Sequence, residues 1–514
     1  MKKFKRIVAV ITLLSLCSLF LVSCGSKNEK NGEMATLKVE IFDRGDVPAG
    51  AGTVTDNELT KWIQKEFGDP NNIKMEFVSV PRAQEIQQLN VLMAAGEAPD
   101  IVFCYDYATM YSFYEQGGLA DLTDYMKDAP NVKEILGENV LEYGRIDGRQ
   151  IMIPARRILN GRVAQLIRQD WLDKIGMDAP TTTEELYAVL KAFKEKDPGN
   201  VGEKLIPWAL SANYPFFTDL IYSFVETEKL SEAENAVTPW PLKPGVKEGV
   251  RFMTKLYNEG LISPDFALDK DNKQMRADVA NGYVGFVNDA FGTPLQNGGY
   301  YNTLKETVPG AKLTAIDTFT DKNGKRPKET YNPVGLYIAI SKSSKNVDAA
   351  IKYLNWMAQD DVMRTLQYGW EGKTYTLDEN GFPVTIDTDE AKKMHWYNLG
   401  FDTAILINGK YMGDQEKSVE FNAIATGENK DLFMECYKNS INDGWEPVVM
   451  PPNDALIKYG TSISAKLTEL ITKGIIAKPS EFDSTYDKLV KDFEDVGGKA
   501  VNEAAIKQYE ELKK

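Results

Sequence analysis

Two adjacent arginines and a tyrosine-containing run are the residues of this chain best suited to hold a ligand. Arg156 and Arg157 stand side by side, and paired guanidinium groups suit an acidic or heavily hydroxylated partner. Ion pairs with carboxylates of the chain itself are the alternative for both residues. Tyr105, Asp106 and Tyr107 follow the apolar run DIVFC, which predicts a buried strand. Ligands bind beyond the carboxyl ends of strands in open α/β sheets, so these three are candidates too.

Further aromatic and acidic candidates stand in later loops. Asp289 and Phe291 follow the predicted strand GYVGFVN, and Trp370 and Glu371 lie in a Gly-Trp-Glu-Gly turn. Trp396 is a further candidate. Aromatic rings offer flat apolar platforms, and carboxylates, amides and arginines supply the hydrogen bonds around such a platform. This combination indicates that these loops could line a ligand-binding site.

The sequence offers little to an enzyme. His395 is the only histidine, so a Ser-His-Asp or Cys-His arrangement could use no other. The GxSxG, HExxH and Walker A patterns do not occur in it. One histidine and no Cys/His cluster argue against a bound metal ion. A carboxylate pair of the polysaccharide-hydrolase kind is the main enzymatic alternative, although no motif points to one. We therefore expect a binding protein without catalytic residues.

The first residues form a targeting segment. A basic start precedes an apolar run over residues 7–22, which suits a secretory signal and is short for a membrane span. The run ends at Cys24 in the context Leu-Val-Ser-Cys-Gly, which resembles the bacterial lipobox. We predict a lipoprotein signal peptide over residues 1–23, a lipid on Cys24 and a polar tether over residues 24–35. An ordinary signal peptide with an incidental thiol is the alternative.

Charge, length and cysteine content narrow the class of protein. The formal net charge of −15 argues against nucleic acid as a partner. A chain of 514 residues exceeds one ordinary hydrophobic core, so we expect two lobes. Cys104 lies in a predicted apolar strand and favours a buried free thiol, with a Cys104–Cys436 disulfide as the alternative. We expect a monomer.

Strands and helices alternate along the chain. Leu37, Val39 and Ile41 alternate with charged residues and predict a strand, and the apolar runs at 73–80 and 100–105 predict two more. Apolar residues at helical spacing separate these strands. The alternation predicts an α/β fold built on a largely parallel sheet with helices on both faces.

Two local signals predict where elements begin or reverse. Thr181 with Glu184, or Thr182 with Glu185, can form a capping box at the start of a helix. The run Asp-Lys-Asn-Gly at 321–324 predicts a hairpin turn.

Five local sequences carry a resemblance to a known family. They are AGEAPDIV at 95–102 with GLADLT at 118–123, DGR at 147–149 with IP at 153–154, IRQDWLDKIG at 167–176 with PTTTEEL at 180–186, LYNEGLISPD at 256–265, and YGWEGKTY at 368–375. In this order they resemble the extracellular solute-binding lipoproteins of carbohydrate ABC importers, which include the maltose-binding and alginate-binding types. Each is weak alone, but together they span most of the chain beyond the tether.

The resemblance implies the type II periplasmic-binding-protein fold, in which two α/β lobes hold a ligand cleft at a hinge. The expected division is lobe 1 over residues 36–155 with about 332–395 returning to it, and lobe 2 over residues 156–331 with about 396–514 returning to it. Chain crossings near Pro154 and Tyr331 would form the hinge. Ligand binding would shift the lobes from an open to a closed arrangement.

The function implied by the resemblance is capture of an oligosaccharide and delivery to the permease of an ABC transporter. The protein would be lipid-anchored at the extracytoplasmic face of the cell membrane. Tyr214 and Phe216, in the loop after the predicted strand at 206–210, would face the ligand. The alternatives are another cargo on the same fold, such as a peptide, amino acid or metal ion, or a lipoprotein used in sensing or adhesion.

One part of the family pattern is degenerate in this chain. The alginate-binding type has an EF-hand-like calcium loop rich in aspartate, where this chain has DPGNVGEKL at 197–205. Gly199 and Lys204 stand where that pattern has oxygen ligands, and calcium needs about six to eight oxygens. We therefore expect no cofactor. A calcium ion held with the help of Asn200 and Glu203 is the alternative.

Overall fold

Alternating apolar and charged residues make the first strand of the fold, as predicted. Its inward side chains Leu37, Val39 and Ile41 are all buried. The computed structural model describes residues 34–212, 216–296 and 298–513. The predicted signal peptide, Cys24 and Tyr214 lie outside the described residues.

Strands and α-helices are numbered here in chain order. The strands are β1 Ala35–Asp43, β2 Ile73–Pro81, β3 Ile101–Cys104, β4 Arg145–Ile146, β5 Arg149–Gln150, β6 Ile153–Arg157, β7 Val163–Arg168, β8 Ile206–Ala209, β9 Val284–Ala290, β10 Leu313–Ile316, β11 Lys328–Glu329, β12 Val334–Ile340, β13 Tyr375–Leu377, β14 Pro383–Thr385, β15 Ile407–Asn408 and β16 Gly444–Trp445. The helices are α1 Glu58–Ile63, α2 Glu85–Ala95, α3 Tyr107–Glu115, α4 Pro130–Leu136, α5 Glu138–Leu141, α6 Gln169–Ile175, α7 Thr183–Lys196, α8 Thr218–Tyr222, α9 Glu232–Val237, α10 Val246–Asn258, α11 Lys273–Ala280, α12 Tyr300–Thr307, α13 Val347–Met357, α14 Asp360–Tyr368, α15 Asp389–Met394, α16 Tyr397–Thr403, α17 Gln415–Ile424, α18 Lys430–Ile441, α19 Asp454–Ile475, α20 Phe482–Phe493 and α21 Lys499–Leu512.

Six strands form the first sheet, in the order β15-β6-β12-β3-β1-β2. β1 runs parallel to β3, with Val39 opposite Ile101, and β15 runs parallel to β6. β12 is antiparallel to both of its neighbours, so that Tyr337 lies between Cys104 and Pro154. The prediction of a largely parallel sheet is therefore wrong. The sheet is mixed because β12 enters from the opposite direction, after the chain has passed through a second sheet.

Four strands form the second sheet, in the order β10-β7-β9-β8. β7 is antiparallel to both β9 and β10, whereas β8 is parallel to β9. Three further pairs, β4–β5, β11–β16 and β13–β14, complete the strand pairing of the described residues.

Different apolar cores cover the two sheets. The core of the first sheet draws on residues between 37 and 158 and between 334 and 407. The second sheet is covered by residues between 164 and 319 together with the C-terminal helices. Cys104 belongs to the first core and Cys436 to the second, and both are buried free thiols. The free-thiol interpretation is confirmed, and the disulfide is not formed.

The chain stays with the first sheet longer than the sequence indicated. Trp396 lies in the core of that sheet, and Ile407 in β15 stands opposite Arg156 in β6. The chain therefore leaves the first sheet after Asn408, and not near residue 396 as predicted. A strand of two residues leaves no alternating pattern from which this return could be recognised.

The two local signals had different outcomes. Thr182 caps α7, and Glu185 completes the capping box, as predicted. The turn at 321–324 forms through the Gly324 N–H and the Asp321 carbonyl, but the strands expected on either side do not pair, because β11 pairs with β16. Within the described residues, no helix has the length and apolar character that crossing a membrane requires.

Candidate ligand-binding site

Several strands of the first sheet end at one edge, because β1, β3, β6 and β15 run in the same direction. Tyr105 follows β3, while Arg157 and Asn408 end β6 and β15. Asn408 Nδ2 donates to the Tyr105 hydroxyl at 3.4 Å, and Arg157 Nη1 donates to Asn408 Oδ1 at 3.4 Å. This edge therefore gathers aromatic, amide and guanidinium groups, as expected for carboxyl strand ends.

Three chain segments, named crossing segments here, connect this edge to the second sheet and its helices: residues 158–162, 330–333 and 409–414. The first bonds to Asn408, the residue of β15 just before the third, through the Ile158 N–H and the Asn408 carbonyl at 3.0 Å. It bonds to the second through the Tyr331 N–H and the Asn160 carbonyl at 2.9 Å. The first two lie near the predicted crossings at Pro154 and Tyr331, and the third corresponds to the return to lobe 2 that was predicted near residue 396.

Two glycines let the chain pack tightly beside these segments. A Cβ atom on Gly335 would lie 2.0 Å from Asn408 Cβ. Gly409 has φ +126°, and a Cβ there would lie 2.8 Å from Ile158 Cβ. Only glycine fits these positions, because any side chain would overlap a neighbour.

Arg157 is a half-buried cation at the junction of the crossing segments. Its Nε donates to the Val334 carbonyl at 3.1 Å, and its guanidinium carbon lies 4.4 Å from the centroid of the Tyr331 ring. Burial lowers the pKa of Arg157. Across the described chain, no Asp or Glu side chain forms a salt bridge with it.

Arg156 is held by backbone carbonyls. Its Nε donates to Ile135 O at 2.9 Å, and its Nη2 donates to Leu136 O. Burial lowers the pKa of Arg156 as well. No carboxylate of the described residues pairs with Arg156, so the expected alternative of internal ion pairs is not found for either arginine.

The ring of Tyr105 contacts one aromatic ring and one guanidinium group. Its ring stacks at 6.0 Å on Phe42, and the Arg82 guanidinium lies 4.3 Å from its centroid. The next predicted residue, Asp106, has a structural role, because its Oδ2 accepts from the N–H and hydroxyl of Thr109 and caps α3.

Tyr107 opens α3 beside the first sheet. Its half-buried ring lies 5.0 Å from the ring of Tyr337 in β12. Burial raises the pKa of Tyr107 to about 12. Its ring is thus placed next to the same strand edge as Tyr105.

The two candidates at the end of β9 differ in how far their side chains are buried. Phe291 follows β9 and remains half-buried against Phe433 and Tyr437, with ring centroids at 4.9 and 5.5 Å. Asp289 is fully buried, and its two oxygens accept from Arg276 Nε and Nη2 at 2.8 and 2.9 Å. The structure therefore corrects the assignment of Asp289 to ligand contact: its carboxylate is sequestered in an ion pair.

The remaining candidates also differ in how far their side chains are buried. Trp370 is half-buried against the first core, Glu371 is exposed in the same turn, and Phe216 is half-buried. Trp396 is only 6% exposed within the first core. Its place among the ligand candidates is corrected accordingly, because its apolar surface is already used in packing.

Sequence reasoning missed several residues of the junction. Asn408 carried no signal, because its strand is only two residues long. Arg162 and Glu329, which form an ion pair between the chain just before β7 and β11, are far apart in sequence. Such contacts depend on topology and leave no local motif.

The loop after α7 does not fit a calcium ion. Asp197 uses both carboxylate oxygens to accept from the N–H groups of Val201 and Gly202, at 2.9 and 2.8 Å. Lys174 Nζ donates to the Pro198 carbonyl at 2.7 Å and places a positive charge at the loop. Within the described residues, no group of three or more His, Cys, Asp or Glu side chains could hold a metal. Hydrogen bonds within the loop satisfy the one aspartate that the family pattern retains.

Two α/β lobes joined by crossing segments, with candidate side chains at the junction, define the type II periplasmic-binding-protein fold. A solved structure of the alginate-binding protein AlgQ2 without calcium ion shares this fold. It is 21% identical, covers 93% of this chain and 98% of that chain, and has a TM-score of 0.67.

Residues 51–364 match the model of the bacterial extracellular solute-binding protein family, and this chain belongs to that family. Lipoprotein LipO of Bacillus subtilis (strain 168) is 24% identical, over 97% of this chain and 98% of the relative. The polygalacturonan/rhamnogalacturonan-binding protein YtcQ of the same organism is 26% identical, over 87% of each chain.

Proposed function

We propose that this protein is the lipid-anchored, substrate-capturing component of an ABC importer and that its cargo is an oligosaccharide bearing carboxylates. The observation that carries the proposal is Arg157, a half-buried cation at the junction of the crossing segments that has no salt-bridge partner among the described residues. A partly desolvated charge without a counter-charge is unfavourable, so an anionic ligand would stabilise this arrangement. YtcQ, whose name states that it binds acidic polysaccharides, and the alginate-binding AlgQ2 support the choice.

Aromatic, hydroxyl and amide groups around Arg157 would provide the further contacts that a sugar requires. Tyr331 is 37% exposed although its ring covers the guanidinium, so one face is open to a ligand. Tyr105 and Asn408 add hydroxyl and amide groups within the same hydrogen-bond chain. Phe291 and Phe216, on the side of the second sheet, are the proposed contacts from the other lobe. A sugar between both lobes would favour the closed arrangement.

Membrane attachment rests on the sequence around Cys24 and on the similarity to a protein named lipoprotein LipO. In this proposal the lipid and tether hold the two lobes at the outer face of the membrane. The permease would recognise the closed form there, and another subunit would hydrolyse ATP.

Binding without catalysis fits the state of the residues that catalysis would require. Burial lowers the pKa of His395 to about 4, and its Nε2 lies 2.9 Å from the Leu366 carbonyl. Burial raises the pKa of the Cys104 and Cys436 thiols. These three groups are therefore poorly suited to act as a general base or as nucleophiles.

A thermal-shift screen tests the proposal. The panel contains galacturonan and alginate oligosaccharides, neutral glucans of matched length, and short peptides. We expect a rise in melting temperature that grows with the logarithm of the concentration of an acidic oligosaccharide. Responses confined to neutral sugars would contradict the acidic cargo, and responses confined to peptides would contradict the oligosaccharide.

A further inference from the structure

Three tyrosines form a row on one face of α3. Tyr107, Tyr111 and Tyr114 stand at positions i, i+4 and i+7, which fall on the same side of an α-helix. Ring centroids lie 6.1 Å apart for the first pair and 5.9 Å apart for the second. Met110 and Phe113, on the neighbouring face, are buried and anchor the helix. The tyrosine row is therefore held in place by packing that its own rings do not have to provide.

The row leads from the strand edge to solvent. Its inner ring, Tyr107, lies against Tyr337 of β12. Its outer ring belongs to Tyr114, whose hydroxyl donates to Asp147 Oδ2 at 3.2 Å and accepts from Arg149. All three tyrosines are half-buried, so part of each ring remains accessible. Half-buried rings with hydrogen-bonding groups at one end resemble the surroundings that a sugar ring requires.

The row is continuous with the site at Arg157. Tyr105, which bonds to Asn408 in that site, is only two residues before Tyr107 in the chain. Tyr337, whose ring contacts Tyr107, lies in β12 opposite Pro154 of β6, the strand that ends in Arg157. A chain-like ligand that fills the junction can therefore continue along the row without leaving aromatic surface.

We infer that the tyrosine row binds the successive sugar units of an oligosaccharide whose end is held at Arg157, so that the protein selects long over short chains. This inference rests on the proposed function. It predicts that affinity increases with chain length beyond the disaccharide, because each added unit gains an aromatic platform. Tyr111 is the central ring and makes the most direct test, since it touches both other members of the row.

The test compares Tyr111→Ala, Tyr111→Phe and a control by calorimetry, using a galacturonan disaccharide and hexasaccharide as probes. The control, Tyr187→Ala, removes a half-buried tyrosine from α7, where it contacts Lys255 and Glu259 away from the row. We expect Tyr111→Ala to weaken hexasaccharide binding about three- to tenfold and leave the disaccharide unchanged. Tyr111→Phe and the control should keep the selectivity of the wild type.

The outcomes separate this inference from the proposed function. Equal affinity of the wild type for disaccharide and hexasaccharide, or no effect of Tyr111→Ala on the hexasaccharide, would overturn the tyrosine row while oligosaccharide capture stands. Equal losses for both probes in Tyr111→Ala would also overturn it, since they would indicate a general structural effect. Binding of neither probe by the wild type would overturn both.

Discussion

The guanidinium carbon of Arg157 lies 4.4 Å from the centroid of the Tyr331 ring, and this contact joins β6 to the second crossing segment. The backbone repeats the connection, because the Arg157 N–H donates to the Pro333 carbonyl at 2.8 Å. The surroundings of Arg157 therefore depend on the relative position of β6 and the second crossing segment. In the proposed mode of binding, ligand capture and lobe movement would involve the same side chain.

Arg157→Gln should weaken binding of an acidic oligosaccharide about tenfold or more, because a charge-assisted hydrogen bond from a half-buried guanidinium is lost (about 1.5–3 kcal/mol). Binding of a neutral analogue should change much less. The matched control is Arg251→Gln, which removes an exposed arginine that pairs with Glu248 and Asp483. Calorimetry measures both variants. Equal affinities of Arg157→Gln and wild type for the acidic sugar would show that the guanidinium does not contact it.

Gly335→Ala should reduce the free energy of unfolding by about 1–3 kcal/mol, because the added Cβ overlaps Asn408 at the crossing. Gly460→Ala is the control. It lies within α19, where the nearest heavy atom to an added methyl group would be Leu456 Cδ1 at 3.7 Å, so alanine should stabilise the helix by up to about 1 kcal/mol. Urea unfolding checks both, and a neutral Gly335→Ala would show that the crossing relaxes freely.

Asp289→Asn should lower the free energy of unfolding by about 1.5–3 kcal/mol, since the buried carboxylate accepts both bonds of Arg276. Affinity for the sugar should be retained. Asp483→Asn, at an exposed ion pair with Arg251, should have little effect on stability. A stable Asp289→Asn variant that has lost sugar binding would restore Asp289 to the ligand site.

His395 should titrate with a pKa of about 4, because burial disfavours its charged form. The ordinary pKa is about 6.5, so the unfolded chain takes up a proton in this window before the folded protein does. The fold therefore loses stability as pH falls from about 6.5 to about 4. The sequence has one histidine, so NMR of its imidazole gives an unambiguous curve. A midpoint near the ordinary value would contradict the burial of this side chain.

A variant of Lys410 provides a second check on the surroundings of His395. Its ammonium lies 4.8 Å from the Tyr368 ring centroid, and its charge adds to burial in lowering the pKa of His395. Lys410→Met should therefore raise the pKa of His395 towards its ordinary value. The same NMR titration measures the shift, and an unchanged or lower pKa in the variant would show that the charge of Lys410 does not act on the imidazole.

Local patterns predicted the elements better than their arrangement. The alternation of Leu37, Val39 and Ile41 and the capping box at Thr182 each depend on a few neighbouring residues, and both were confirmed. The direction of β12 depends on where the chain has travelled before it, which no local pattern records. The mixed sheet was therefore not predicted.

The residues of the candidate site were likewise predicted only in part. Arg157 was named because two arginines stand side by side, and Tyr105 was placed at the strand edge by the rule that ligands bind beyond the carboxyl ends of strands. The same rule named Asp289, but only the structure shows that Arg276 occupies its carboxylate. Trp396 was assigned wrongly for a related reason. The sequence does not show whether a tryptophan side chain packs in a core or faces a ligand.

Small-angle X-ray scattering with and without the oligosaccharide selected by the thermal-shift screen tests the central claim most directly. If the sugar is captured between two lobes, the radius of gyration should fall at saturating ligand, and Arg157→Gln should need about tenfold more ligand or more to show the same fall. An unchanged radius in the wild type, with binding verified in the same sample, would contradict capture by lobe closure.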